Sequence, residues 1–126
     1  MTLEFSDGMI IDTAGGRVEQ DRTPPLFAVG QVVMTAGVAA MLRDVDGPEE
    51  EADAIRARRA DEVLECVARH LSGDFGTVCA ADRAANRRAI SDGERILSAY
   101  TVAGARIWII TEADRSSTCI LLPEEY

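Results

Sequence analysis

The chain contains no lysine; all 13 of its basic residues are arginine, and a single histidine and a single tryptophan stand among its 126 residues. The missing lysine carries no functional weight, but one histidine excludes a metal site built from several imidazoles. Three cysteines, Cys66, Cys79 and Cys119, are odd in number and widely spaced in apolar surroundings. That usage excludes a disulfide framework and a CxxC-type zinc site, and buried thiols are expected. No apolar run approaches the ~18 residues of a membrane span, and the opening MTLEFSDGMIIDTAGG lacks the basic start and apolar centre of a signal peptide. A cytoplasmic protein is therefore expected. Walker A, GxGxxG, GxSxG and HExxH patterns are absent, as are an aromatic RNA-binding motif and internal repeats.

What is present is carboxylate, unevenly spread. Residues 1–53 hold eleven Asp and Glu against Arg17, Arg22 and Arg43, a balance of −8, whereas residues 54–126 hold eleven against ten arginines, a balance of −1. Nucleic acid is disfavoured as a direct partner of such a surface, and a basic protein surface is favoured. With 47% apolar residues, 126 residues suffice for one core and not for two ordinary domains.

Residues 1–26 show no sustained period and end in DRTPP, so they read as an N-terminal arm or small hairpin ahead of a single α+β domain, 27–126. LFAVGQVVMT suits a strand with a central glycine for close packing, and Thr35 can cap a short helix, AGVAAMLRDV. From Pro48 a long helix is predicted: proline in the first turn, three glutamates where the helix dipole favours negative charge, and Ala52, Ile55, Ala60, Val63, Leu64, Val67 and Leu71 on one face. It stops at Ser72-Gly73. A second polar-rich helix, AADRAANRRAIS, is expected to turn Ala81, Ala84, Ala85 and Ile90 inward and to stop at Asp92-Gly93. The last third changes to a period of two: RILSAYTV, a turn at Ala103-Gly104, RIWIIT, then TCILL. The predicted architecture is a three- to four-stranded antiparallel sheet packed against two to three helices.

Three groups of residues invite a chemical reading. The knot Glu112-Ala-Asp-Arg-Ser-Ser-Thr118 offers Glu112, Asp114 and Arg115 in one loop, enough to suggest a metal-dependent hydrolase or nuclease. A turn in which Arg115 pairs with the two carboxylates explains the same residues and is preferred. Glu62, Cys66 and His70 fall at four-residue steps on the long helix, and Asp74 could orient the imidazole. The simpler reading places His70 at the helix C-terminus, bonded to Asp74, with Cys66 at the core edge. The arginine groups 56, 58, 59 and 83, 87, 88 read as solvated faces, Arg56 three residues after Asp53 and Arg58 four before Glu62. The acidic tract Asp44, Asp46, Glu49, Glu50, Glu51 and Asp53 decorates a loop and a helix start, or presents carboxylates to a DNA-binding groove on another protein.

GQVVMTAGVAAM, ARHLSGDFG, ANRRAISDGERILSAYT and IWIITEADRSSTCILLPEEY together resemble a family of small bacterial proteins labelled "plasmid-related protein" or "type I restriction endonuclease subunit M". The resemblance spans about residues 28–126. The chain departs from it at Thr35-Ala36, where members often carry Thr-Pro, and at Phe75, where they often carry Trp. It implies a plasmid, prophage or integrated-element setting in a bacterial or phage-infected cell, and it implies no activity, cofactor or catalytic residue. A methyltransferase subunit in the literal sense is excluded, because no NPPY-type motif or cofactor domain is present. Three readings follow. The first is a non-enzymatic inhibitor of a restriction or CRISPR complex, contacting a basic surface of that complex through the 44–53 carboxylates, with Glu124 and Glu125 as additions and no cofactor. The second is a hydrolase using Glu112 and Asp114 with His70, Asp74 and Arg115. The third is a homo-oligomeric accessory protein in which the C-terminal strand or the Trp108 face pairs between chains.

Overall fold

The computed structural model describes residues 24–126, together with the backbone of residues 2–4; most of the expected 1–26 arm thus lies outside the described residues. In chain order the elements are β1 (Thr2–Glu4), β2 (Gln31–Met34), α1 (Ala36–Arg43), α2 (Glu49–Leu71), α3 (Ala80–Asp92), β3 (Ile96–Val102), β4 (Ala105–Thr111), β5 (Ser117–Leu121) and a 3-10 turn, Pro123–Glu125. The strands form one sheet in the order β1-β2-β5-β4-β3. The α+β class stands as expected from the sequence.

The sheet departs from an antiparallel meander at one seam. β3, β4 and β5 are antiparallel neighbours, but β5 then lies parallel to β2, with Val32 opposite Thr118 and Met34 opposite Ile120. β1 adds an antiparallel strand beyond β2. A parallel pairing needs a long crossover, supplied here by the whole helical section and the β3–β4 hairpin. The first strand is also shorter than LFAVGQVVMT suggests. Gly30, at φ +65°, sits against the Ser116 backbone where no side chain would fit, so the ladder starts at Gln31, whose N–H bonds the Ser116 carbonyl at 3.0 Å.

The helices cover one face. Ile96, Tyr100, Val102, Ile107, Ile109, Ile120 and Val32 alternate inward along their strands and are nearly solvent-free. All but Ile96 meet Val63, Cys66, Val67 and Leu71 of α2 and Val38 of α1, as the helical period of α2 predicts, while Ile96 packs with Phe75 and with Ala89 of α3. α3 is rolled away from the expected orientation: Ala81, Ala84 and Ala85 are exposed, Ile90 is half-buried, and Asn86 and Ala89 face inward. The cause is the Asn86 amide, which donates to the Leu97 carbonyl at 2.7 Å and accepts from the Leu97 N–H at 3.1 Å. It thereby stands in for a neighbouring strand beside β3. Beyond it, Ala99 exchanges backbone bonds with Phe75 and Thr77, so the outer edge of β3 is largely closed.

Candidate functional site

The acidic tract lies at the corner between α1 and α2. Asp44 is the residue that ends α1, Asp46 is in the connection, Glu49 to Glu51 form the first turn of α2, and Asp53 follows on its exposed side. The α2 dipole favours carboxylates at this end. Arginines hold the corner in place. Arg56 binds the Asp53 carboxylate at 2.6 Å, as the three-residue spacing predicts, and reaches Glu49 at 3.2 Å while its Nε donates to the Arg43 carbonyl. Arg59 donates to the Met41 carbonyl at 2.8 Å. Both guanidiniums therefore satisfy carbonyls left open at the end of α1. Asp44 pairs with Arg43 at the surface. Among the described residues, Asp46, Glu50 and Glu51 form no ion pair, nor do Arg58 and Glu62 despite their spacing.

Glu124 and Glu125 do not join this group. Glu125 lies at the opposite end of α1, about 13 Å away along an eight-residue helix and its caps. Its carboxylate accepts from the Thr35 hydroxyl, the Gly37 N–H at 3.0 Å and the Leu122 N–H at 2.9 Å, and these bonds hold its pKa below the usual carboxylate range. The Glu125 carboxylate is thus engaged within the fold. Glu124 is exposed beside it.

The knot is a turn between β4 and β5. The Arg115 N–H bonds the Glu112 carbonyl at 2.9 Å, and the Asp114 carboxylate accepts the Ser116 N–H at 3.0 Å; the Ser116 side chain and then this N–H lower its pKa. Arg115 does not pair with the flanking carboxylates as the sequence suggests. Its guanidinium donates to the carbonyls of Glu94 at 2.7 Å, Ala89 at 2.9 Å and Glu112 at 3.1 Å, and lies over the Phe27 ring. The carbonyls at the end of α3 and in the turn are fixed acceptors gathered within reach of one guanidinium, whereas the exposed carboxylates are served by water. Glu112 instead reaches Arg95 at 3.2 Å.

His70 is fully buried and does not bond Asp74. Its Nδ1 is 2.6 Å from Ser98 Oγ and its Nε2 is 2.8 Å from Thr111 Oγ1. Thr111 is paired across the β4–β5 ladder with Thr118, and the two hydroxyls are 2.7 Å apart; Thr118 donates to the Val29 carbonyl at 2.7 Å. Each hydroxyl has one proton, so the line has a direction. Thr118 gives its proton to Val29 and accepts from Thr111, which accepts from His70 Nε2–H. Nδ1 is then the acceptor, filled by Ser98. Burial, helped by the positive charge of Arg115, pushes the imidazole pKa down to about 3. Ser98 beside an imidazole superficially pairs a nucleophile with a base. Both are sealed from solvent, and a base of such low pKa with both nitrogens occupied has no capacity to take a proton from a substrate hydroxyl. The line is a pin through the sheet.

Asp74 pairs with Arg69 at 2.7 Å, which lowers its pKa, and Arg69 lies over the Tyr100 ring. Burial raises the Cys66 thiol to about 11, so it is held protonated and unreactive. Cys79, expected buried, is exposed just before α3, and Cys119 is half-buried. His70, Asp74, Glu112 and Asp114 are thus each committed to separate partners. Among the described residues, no three of His, Cys, Asp and Glu converge as metal ligands. β5 is flanked on both sides by β2 and β4, so the C-terminal strand has no edge to offer a second chain. No described helix is long and apolar enough to cross a membrane. Comparison with protein-family models, curated proteins and solved structures returns no match to this chain.

Proposed function

We propose that the protein is a non-enzymatic binding protein that presents the carboxylates of the α1–α2 corner to a basic, nucleic-acid-binding surface on a host defence complex of the restriction or CRISPR kind. The observation that carries this reading is the uneven use of charge. Asp46, Glu50 and Glu51 are exposed and without an ion pair among the described residues, on a corner that Arg56 and Arg59 hold rigid. Carboxylates fixed on a helix start lose little freedom on binding and steer a basic partner from a distance. The resemblance to plasmid-related bacterial proteins supports a mobile-element setting, in which blocking a defence complex has a use. The contact group is Asp44, Asp46, Glu49, Glu50, Glu51 and Asp53. Glu124 and Glu125 stand outside it because they lie at the other end of α1.

The test is affinity capture from host lysate at low and moderate salt, comparing the native chain with Asp46→Asn/Glu50→Gln/Glu51→Gln. The native chain is expected to retain a restriction or CRISPR subunit that is lost as salt rises and is lost with the triple variant. Equal retention by the variant overturns the reading.

A further inference from the structure

The 3-10 turn Pro123–Glu125 contributes no buried residue, and it is held to the domain at two points. One is polar: the Glu125 carboxylate on the Thr35 hydroxyl and the Gly37 N–H at the start of α1. The other is aromatic: Tyr126 lies edge-on to Trp108, with ring centroids 5.5 Å apart, and its hydroxyl accepts from Arg95 at 3.0 Å. Trp108 is on the sheet face away from the helices, opposite Ala99 on one side and Leu121 on the other. We propose that this turn is a releasable strap, latched to α1 by Glu125, and that opening the latch uncovers Trp108.

Two observations support a strap that opens. First, its latch bonds are at the surface and no core side chain moves with it, so it belongs to the part of the structure that opens at least cost. Second, position 37 is built for it. Gly37 is a helical residue with no need of a positive φ, and alanine would favour the helix. A Cβ there would stand 2.5 Å from the Glu125 carboxylate, so glycine keeps the seat open. The atom in the way is the end of a flexible side chain, so a methyl group at 37 evicts Glu125 rather than disrupting α1.

That geometry gives two independent ways to open the latch. Glu125→Ala removes the carboxylate, and Gly37→Ala fills its seat while leaving the strap unchanged. Trp108 is the sole tryptophan, so its fluorescence reports the outcome directly. Tyr126→Ala sets the signal of the uncovered ring. Both latch variants are expected to approach it, with a red-shifted emission maximum and an acrylamide quenching constant raised about twofold. Far-UV circular dichroism verifies that each variant is folded. A folded Glu125→Ala or Gly37→Ala protein whose Trp108 emission and quenching match the native chain overturns the proposal, because Tyr126 would then hold its place without the latch.

Discussion

The line from Ser98 through His70, Thr111 and Thr118 to Val29 and the acidic corner at residues 44–53 are both rich in polar atoms, and they spend them in opposite ways. In the line every side-chain atom has a partner inside the protein and none touches solvent. At the corner, Arg56 engages two carboxylates, and Asp46, Glu50 and Glu51 remain open to water. Polar groups that are buried and mutually satisfied specify structure, since any change leaves an orphan. Exposed groups held in place but not satisfied are the ones left over for binding. Residue type does not separate the two cases; placement does.

The comparison is most easily broken at its buried end. His70→Ala removes a packed ring and orphans the Ser98 and Thr111 hydroxyls, so a loss of about 3–5 kcal/mol is expected in urea-induced unfolding. Thr111→Val, nearly the same in volume, leaves Nε2–H and Thr118 short of a partner and is expected to cost about 1–3 kcal/mol. A loss below about 0.5 kcal/mol for either would mean that the line is not a structural pin.

Acid tests the same line without mutation. The folded imidazole pKa is depressed to about 3, while the unfolded chain titrates near its ordinary 6.5. On unfolding between these values His70 takes up a proton, so its stabilising contribution is complete above about pH 6.5 and is lost progressively as pH falls toward 3. The slope expected from this one group is about 1.4 kcal/mol per pH unit. The interval from pH 6.5 to 5 favours it, because among the described residues the carboxylates with shifted pKa, Asp74, Asp114 and Glu125, are all lowered and titrate below that range. Stability that stays flat from pH 6.5 to 5 would contradict a buried neutral imidazole.

Local features of this architecture were legible in the sequence, and those that depend on distant partners were not. α2 announces itself through Pro48, three glutamates and an apolar face because each acts within a turn or two of the chain. The cap at Thr35 and the hairpin at Ala103-Gly104, both at positive φ, are equally local. The parallel β2–β5 seam is set by how the helices and hairpin pack, which no window of residues contains. α3 was misoriented because alanine fits either side of a helix, and the inward side is chosen by what Asn86 finds on β3. The hydroxyl line was missed for a related reason. Ser98, Thr111 and Thr118 become neighbours only through the register of β3, β4 and β5, and the available signal was hydroxyl residues at inward strand positions in a chain with one histidine. The acidic corner was legible because it is a run in the sequence.

Arg115 stands between the two extremes, half-buried and bonded to three carbonyls. Arg115→Lys keeps the charge but a single ammonium cannot serve carbonyls of Ala89, Glu94 and Glu112 in one plane. A loss of about 1–2 kcal/mol is expected, with amide exchange at the end of α3 accelerated. Full stability in the lysine variant would show that charge alone suffices there.

The smallest effect on folding is expected at the corner, and there a small effect is the informative one. In Asp46→Asn/Glu50→Gln/Glu51→Gln, the lost attraction to the α2 dipole is a few tenths of a kcal/mol per residue, and it is offset by relief of repulsion among carboxylates crowded at residues 44–53. The net change in unfolding free energy is expected to stay within about 0.5 kcal/mol. A stability loss comparable to that of Thr111→Val would mean these carboxylates belong to the fold as fully as the hydroxyl line does. An unchanged fold makes the same protein a clean probe of binding, since any partner lost with the variant is then lost through charge and not through unfolding.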